Sequence, residues 1–203
     1  MAQPQSALDH LLKPGRYPRA DGGASSLVIQ ERPNVAQLQV IARKDQGASL
    51  ARRLSALLGA ATALAPLEGA EADGVDVYAT GPLEYWVFSE THSAQVLERR
   101  LADELGETAS LFDQSHARIV VRISGDSATG LLAKGTPLDL DAGAFPAEGA
   151  SHTMIEHIPA LVARRAVPAC YDLSVPRSYA GSFVAWLAEA ALGFGYTVQT
   201  PEP

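Results

Sequence analysis

The apolar and polar positions of the chain fall into two similar runs. In the first, Ala36, Leu38, Val40 and Ala42 occupy every second position, the period of a half-buried strand. Leu50, Leu54, Leu57 and Leu58 then recur at helical spacing, and Gly59 stands where a helix stops. Val75 to Tyr78 and Glu84 to Phe88 predict two strands joined by a turn at Gly81-Pro82. Leu97, Leu101 and Leu105 predict a second helix, closed by Gly106.

The second run follows Asp113-Gln-Ser115-His116, whose short polar side chains favour a turn bonded to nearby backbone. Ile119, Val121 and Ile123 form one face of a predicted strand, and Arg118, Val120 and Arg122 the other. Ser124-Gly125-Asp126 breaks it, with Asp126 a candidate cap for a short helix and Gly135 a candidate stop. Tyr171 to Val175 predicts a strand, and Tyr179 to Phe194 a helix with Tyr179, Phe183, Trp186, Leu187 and Ala190 on one stripe.

Ile119, Val121 and Ile123 lie 81 residues after Leu38, Val40 and Ala42, and Leu131 lies 81 after Leu50. Tyr171 to Val175 lies 86 residues after Tyr85 to Ser89, the difference being absorbed in the loop between Gly135 and Ser151. Both halves read β-α-β-β-α. The expected architecture is therefore α+β: residues 35–199 as one domain of two pseudo-repeats, 35–108 and 109–199, with a tail at 200–203.

Residues 1–34 do not share this pattern. Pro4, Pro14, Pro18, Pro33, Gly15, Gly22 and Gly23 leave only Ala7 to Leu12 for a helical turn and Leu27-Val28-Ile29 for a short edge strand. The expectation is an extended N-terminal arm laid over a neighbouring chain.

Composition narrows the function. With 47% hydrophobic and 19% charged residues the chain is globular, and no apolar run reaches the ~20 residues of a membrane span. The N-terminus lacks the pattern of a secretory signal, and the single Cys170, read as a buried strand residue, suits a reducing cytoplasm. A net charge of -7 with dispersed basic pairs (Arg52-Arg53, Arg99-Arg100, Arg164-Arg165) argues against a nucleic-acid partner.

The search for chemistry yields no catalytic, cofactor-binding or metal-binding residues. His152 and His157, the one close pair of histidines, are five apart in what reads as a strand, so they point to opposite faces. Asp113, Ser115 and His116 resemble nucleophile components, but adjacent Ser and His on an extended stretch diverge, and no G-x-S-x-G elbow is present. Gly125-x4-Gly130 is followed by Leu131-Leu132 instead of the Lys and Ser or Thr of a phosphate loop, and no G-x-G-x-x-G follows a strand. Tyr85, Trp86, Phe183 and Trp186 have core spacing. Lys134, Asp139 and Arg177 stand beside turns, where they cap locally or meet another subunit.

The order and spacing of several motifs carry a family resemblance. The run Asp113-Gln-Ser115-His116, the strand ending in Ser124-Gly125-Asp126 and the helix ending in Leu131-Leu-Ala-Lys-Gly135 are followed by Thr136-Pro-Leu-Asp-Leu140 and Phe145-Pro146. Pro176-Arg-Ser-Tyr-Ala180 then leads into the helix that holds Trp186. Over most of residues 109–195 this resembles the gamma subunit of heterotetrameric sarcosine oxidase, whose fold is similar to a fragment of the folate-binding aminomethyltransferases.

The resemblance implies a non-catalytic subunit that works beside alpha, beta and delta subunits. Their complex converts sarcosine and oxygen to glycine, hydrogen peroxide and either formaldehyde or 5,10-methylenetetrahydrofolate. FAD, FMN, NAD, zinc and tetrahydrofolate would then belong to the partner subunits. The alternatives are the equivalent subunit of another secondary N-methylamine oxidase and a free-standing tetrahydrofolate-binding, aminomethyltransferase-like protein. For a subunit, the long loop after Gly135 is the expected boundary. Its Leu138, Asp139, Leu140 and Phe145, with Arg177, are the candidate contact residues.

Overall fold

A computed structural model describes residues 6–19, 21, 23–59 and 63–201. The N-terminal segment supplies β1 (Gly15–Tyr17) and β2 (Leu27–Glu31). The first repeat runs through β3 (Ala36–Ala42), α1 (Gly47–Leu57), β4 (Gly69–Ala72), β5 (Val75–Gly81), β6 (Glu84–Ser89), α2 (Ala94–Leu105) and β7 (Ala109–Asp113). The second runs through β8 (Arg118–Ser124), α3 (Ala128–Leu132), β9 (Ala150–Ile155), β10 (Ile158–Arg164), β11 (Cys170–Pro176), α4 (Ala180–Ala191) and β12 (Tyr196–Gln199). The fold is α+β and duplicated, and each repeat is β-α-β-β-β-α-β, two strands richer than the apolar pattern predicts. Those extra strands are short. β4 is Gly-Ala-Glu-Ala, with no β-branched or aromatic residue to announce it.

The chain divides into two compact units. One comprises Asn34–His116 and Phe145–Ser151; the other comprises Met1–Pro33, Ala117–Ala144 and His152–Pro203. The first holds an antiparallel five-stranded sheet in the order β4-β5-β6-β3-β7. Leu38, Val40, Val75, Val77, Tyr85 and Val87 line one face of it, and Leu50 and Leu54 of α1 with Leu97, Leu101 and Leu105 of α2 cover that face. Ser93 caps α2 by accepting the Val96 N–H, and Gly106, at φ 51, ends it in the left-handed region. The opposite face is also buried: Gln37, Tyr78, Trp86 and Phe88 are all less than 4% exposed, and Phe88 meets both aromatic rings edge-on.

The second unit holds a seven-stranded sheet in the order β1-β12-β2-β8-β11-β10-β9. Here the N-terminal segment departs from the arm reading. β2 lies inside the sheet, antiparallel to β8 and parallel to β12, so Leu27 to Ile29 is an interior strand and not an edge. Leu27 and Ile29 are fully buried, as is Leu8 before them. Tyr171 Oη lies 2.9 Å from Thr129 Oγ1 of α3, which marks the Ile29, Ile123 and Tyr171 side of the sheet as its helix-covered face.

Two glycines have different reasons from those the sequence suggests. At Gly125 (φ 107) a Cβ would come within 2.3 Å of Ser26 O, so only glycine lets the end of β8 turn against the N-terminal strand. At Gly135 a Cβ would meet the Trp186 ring at 2.3 Å, so this glycine admits a packed indole. Asp126 does not cap α3: the N-cap is Ser127, which makes no capping bond and whose hydroxyl lies 2.6 Å from that of Ser26.

The repeat is slightly out of phase. Leu38 pairs with Val87, whereas Ile119, its counterpart 81 residues on, pairs with Val175, the counterpart of Ser89. A slip of two residues leaves every side chain on its own face.

Candidate functional site

The Asp113–His116 run folds as a turn. Ser115 N–H donates to Asp113 Oδ1 (2.9 Å), and Gln37 N–H donates to Ser115 Oγ (2.9 Å). Both polar side chains hold backbone, and His116 is exposed beyond them. A second Ser–His contact escapes the sequence reading: Ser89 Oγ lies 3.1 Å from His92 Nδ1. Ser89 is 1% exposed, donates to Gly74 O (2.7 Å) and accepts from the N–H groups of Thr91 and His92. Its hydroxyl is a structural clamp after β6. Nothing in the apolar pattern points to it, because the signal lies in side-chain bonds to backbone.

The histidine pair separates differently from the strand reading. His152 lies in β9, and His157 occupies the tight turn to β10. No group of three His, Cys, Asp or Glu side chains placed to hold a metal ion occurs among the described residues. Cys170 is buried at the start of β11, and burial pushes its thiol pKa up, away from the reactive thiolate.

The densest charge lies on the sheet face of the seven-stranded unit opposite α3. Cross-strand pairing sets Gln30, Arg122 and Asp172 side by side. Arg122 forms a two-pronged pair with Asp172 (Nε to Oδ1 2.7 Å, Nη2 to Oδ2 2.8 Å), and Arg165 approaches the same carboxylate at 3.7 Å. One strand step along, Arg118 donates to Ser174 Oγ and Ser174 O (both 2.7 Å), and burial lowers its pKa to about 10, so it stays charged at neutral pH. Asp172 is 3% exposed and Ser174 fully buried. This network orders three strands and offers no exposed nucleophile or base.

The expected contact residues divide. Phe145 has no accessible surface and Leu140 is 6% exposed, so both belong to the core of this chain. A side chain already enclosed gives a partner nothing to bury, which removes these two from the contact set. Their apolarity serves internal packing, and the loop itself is shared, Ala144 closing one unit's share and Phe145 opening the other's. Leu138 is half-buried, and Asp139 is exposed, its Oδ1 accepting the Asp141 N–H. Arg177 is exposed where β11 gives way to the turn before α4, and its N–H donates to Ala117 O (2.8 Å). Lys134 donates to Ala190 O (2.8 Å) and lies over the Phe194 ring, so it caps locally.

No helix among the described residues is long and apolar enough to cross a membrane.

Comparison with known proteins bears on what these surfaces serve. Residues 55–193 match the family described as sarcosine oxidase, gamma subunit family. The chain is similar to a chain of the heterotetrameric sarcosine oxidase from Corynebacterium sp. U-96, solved in complex with pyrrole 2-carboxylate. The identity is 25%, covering 94% of this chain and 95% of that one, with a TM-score of 0.74. It is also similar in fold to the glycine cleavage system aminomethyltransferase T from Bartonella henselae, at 12% identity and a TM-score of 0.61 over 87% of this chain. There the match spans 48% of the longer protein. No curated protein matches the chain.

Proposed function

The chain belongs to the sarcosine oxidase gamma subunit family, and from that premise we propose that it serves sarcosine oxidation without carrying the chemistry itself. It is a subunit of a heterotetrameric sarcosine oxidase, and its two-sheet fold is that of the gamma subunit. The observation that carries the reading is the match of nearly the whole chain, end to end, to a chain of the solved oxidase.

The non-catalytic role rests on the side chains. The polar side chains that come together after β6 and β7, Ser89 with His92 and Asp113 with Ser115, hold turns. Tyr78, Trp86 and Phe88 are packed against each other rather than displayed as a stacking platform. The cleft lined by Arg16, Tyr17, Pro18, Gly23 and Ser25 has a volume of about 340 Å³, at the small end of ligand sites. None of these groups, in this reading, seats a flavin, a dinucleotide or a folate. In this reading FAD, FMN, NAD, zinc and tetrahydrofolate are held by the alpha, beta and delta subunits, and the complex works in the cytoplasm. Leu138, Asp139 and Arg177 remain the candidate contact residues on this chain.

Co-expression with the partner chains tests the reading. The assembled complex should be yellow and oxidise sarcosine, and the lone chain should be colourless and inactive. A stoichiometric flavin spectrum or oxidase activity in the purified lone chain would overturn the non-catalytic role. Tetrahydrofolate binding by a lone chain that joins no partner would move it to the free-standing class.

A further inference from the structure

Among the described residues, two sheets present four edges to solvent or to partners: β1 and β9 in one, β4 and β7 in the other. Exposed edges invite pairing with foreign strands unless they are short, interrupted or covered. β1 is three residues long and lies between Pro14 and Pro18, neither of which can donate a ladder bond. β4 has chain pressed against it: a Cβ on Gly69 would come within 2.1 Å of Glu148 O, and one on Gly149 within 2.3 Å of Leu67 O. β9 and its turn are held by the segment Gly135–Thr136, through Glu156 N–H to Gly135 O (2.7 Å) and Thr136 Oγ1 to Thr153 Oγ1 (2.7 Å).

β7 is buried at its first residue, Ala109 (4% exposed), and among the described residues its remaining length has none of these protections. Its sequence, Ala-Ser-Leu-Phe-Asp, contains no Lys and no Pro, and its one charge stands at its last residue. The ladder to β3 fixes which backbone groups it still offers. Gln114 N–H donates to Gln37 O (2.8 Å) and Arg43 N–H to Thr108 O (3.0 Å), so the even-numbered residues turn their backbone toward β3. Ala109, Leu111 and Asp113 therefore aim N–H and C=O outward, and among the described residues no strand pairs with that side. Phe112 is 46% exposed beside this edge. The repeat supplies the contrast, since β12, the counterpart of β7, is paired on both sides, by β2 and β1.

We propose that the outer edge of β7 receives an extended segment of a partner chain of the oxidase, which adds a sixth strand to the five-stranded sheet. The segment bonds to the backbone of Leu111 and Asp113 and packs an apolar side chain on Phe112, the mode of strand addition in which main-chain bonds give affinity and alternate side chains give specificity. The proposal rests on the chain working within a multi-subunit oxidase. Pairing of β7 with a second copy of this chain is the competing occupant.

Hydrogen–deuterium exchange on the free chain and on the co-expressed complex tests it. The Leu111 and Asp113 amides should exchange about tenfold or more slowly in the complex, while the Phe112 amide, already bonded to β3, changes little. Replacing Phe112→Lys places a gatekeeper charge at the edge. The free variant should melt within about 2 °C of the parent, as an exposed site allows, while assembly weakens about tenfold or more. If the complex assembles and the Leu111 and Asp113 amides stay as fast as in the free chain, the strand proposal falls while the subunit reading stands. If no partner co-purifies, the subunit reading falls with it. Concentration-dependent self-association of the free chain that Phe112→Lys abolishes would assign the edge to a second copy and overturn the partner assignment.

Discussion

The two repeats treat the sheet face away from their helices in opposite ways. In the five-stranded sheet that face carries Tyr78, Trp86 and Phe88 in edge-to-face contact. In the seven-stranded sheet it carries Arg118, Arg122, Asp172 and Ser174, joined by charge-assisted bonds. The helix-covered faces, by contrast, follow one plan, with Leu38 and Val40 matched by Ile119 and Val121. A helix packed on a sheet demands an apolar stripe whatever else changes, so that side of a duplicated unit keeps its pattern. The far face and the edges are free to diverge. The divergence here extends to length: α1 has 11 residues and α3 has 5, and in the second repeat β2 is interposed between β8 and β12.

The sharpest way to break the comparison is to remove what only one repeat has. Deleting residues 1–33 takes β1 and β2 out of the seven-stranded sheet and uncovers Ile123 and Val121 of β8. Each buried side chain of that size represents about 1.5–3 kcal/mol, and a strand contributes several, a loss comparable to the whole stability of a domain. The seven-stranded unit should lose its cooperative unfolding transition and its slow amides. A truncated chain that unfolds with the parent's denaturant midpoint would restore the view of this segment as a dispensable arm.

The next largest effect separates the two far faces. Replacing Asp172→Ala takes from Arg122 its two-pronged partner, and from Arg165 a nearby carboxylate, on a largely enclosed face. Removing one partner of a buried pair costs about 3–5 kcal/mol, because the remaining charge keeps its desolvation penalty. Urea unfolding of the parent and the variant measures this. A loss under about 1 kcal/mol would mean that the pair behaves like an exposed one, and that the charged face is less enclosed than its 3% exposure at Asp172 implies.

Much of this molecule was legible before its structure. The strands of Leu38, Ile119, Trp86 and Leu173, the leucine stripes of α1 and α2, and the duplication itself follow from period alone. Three things did not. β2 was legible as a short strand but misplaced at an edge, because prolines and glycines surround it and its interior position comes from β8 and β12, both distant in sequence. β4, β7 and β12 are four or five residues long, too short for alternation to stand out. Leu140 and Phe145 had the composition of a docking loop, and apolar residues on a loop read alike whether they turn inward or outward.

A smaller effect lies at the join between the N-terminal segment and β8. Replacing Gly125→Ala adds a methyl group at φ 107 that would sit 2.3 Å from Ser26 O. Strain in that region with a backbone collision should destabilise by about 2–3 kcal/mol. The control is Gly59→Ala in the first repeat, at φ 63 with nothing within 4 Å of its Cβ, which should lose less. Equal losses would show that conformation alone, and not contact with the N-terminal strand, sets the value of Gly125.

The smallest effect is also the most specific, because it titrates. Glu31 ends β2 at 6% exposure and accepts a hydrogen bond from Ser6 Oγ. Burial raises its pKa above 4.5, and nearby Asp9 adds to the rise, against the pull of the Ser6 bond and of Arg177. A carboxyl whose folded pKa lies above its unfolded value binds its proton more tightly when folded. The folded state therefore holds the extra proton between the two values, and stability falls as pH rises from near 4.5 through the folded pKa. Above that window the penalty is constant. Glu31→Gln keeps an oxygen for Ser6 to donate to and removes the ionisation. The variant should match the parent at about pH 4, gain on it as pH rises, and hold a constant advantage near neutrality. Denaturant midpoints across that range decide. An advantage of the same size at every pH would assign the effect to packing, and a variant less stable than the parent at neutral pH would show that the Glu31 carboxylate is sustained there by Arg177.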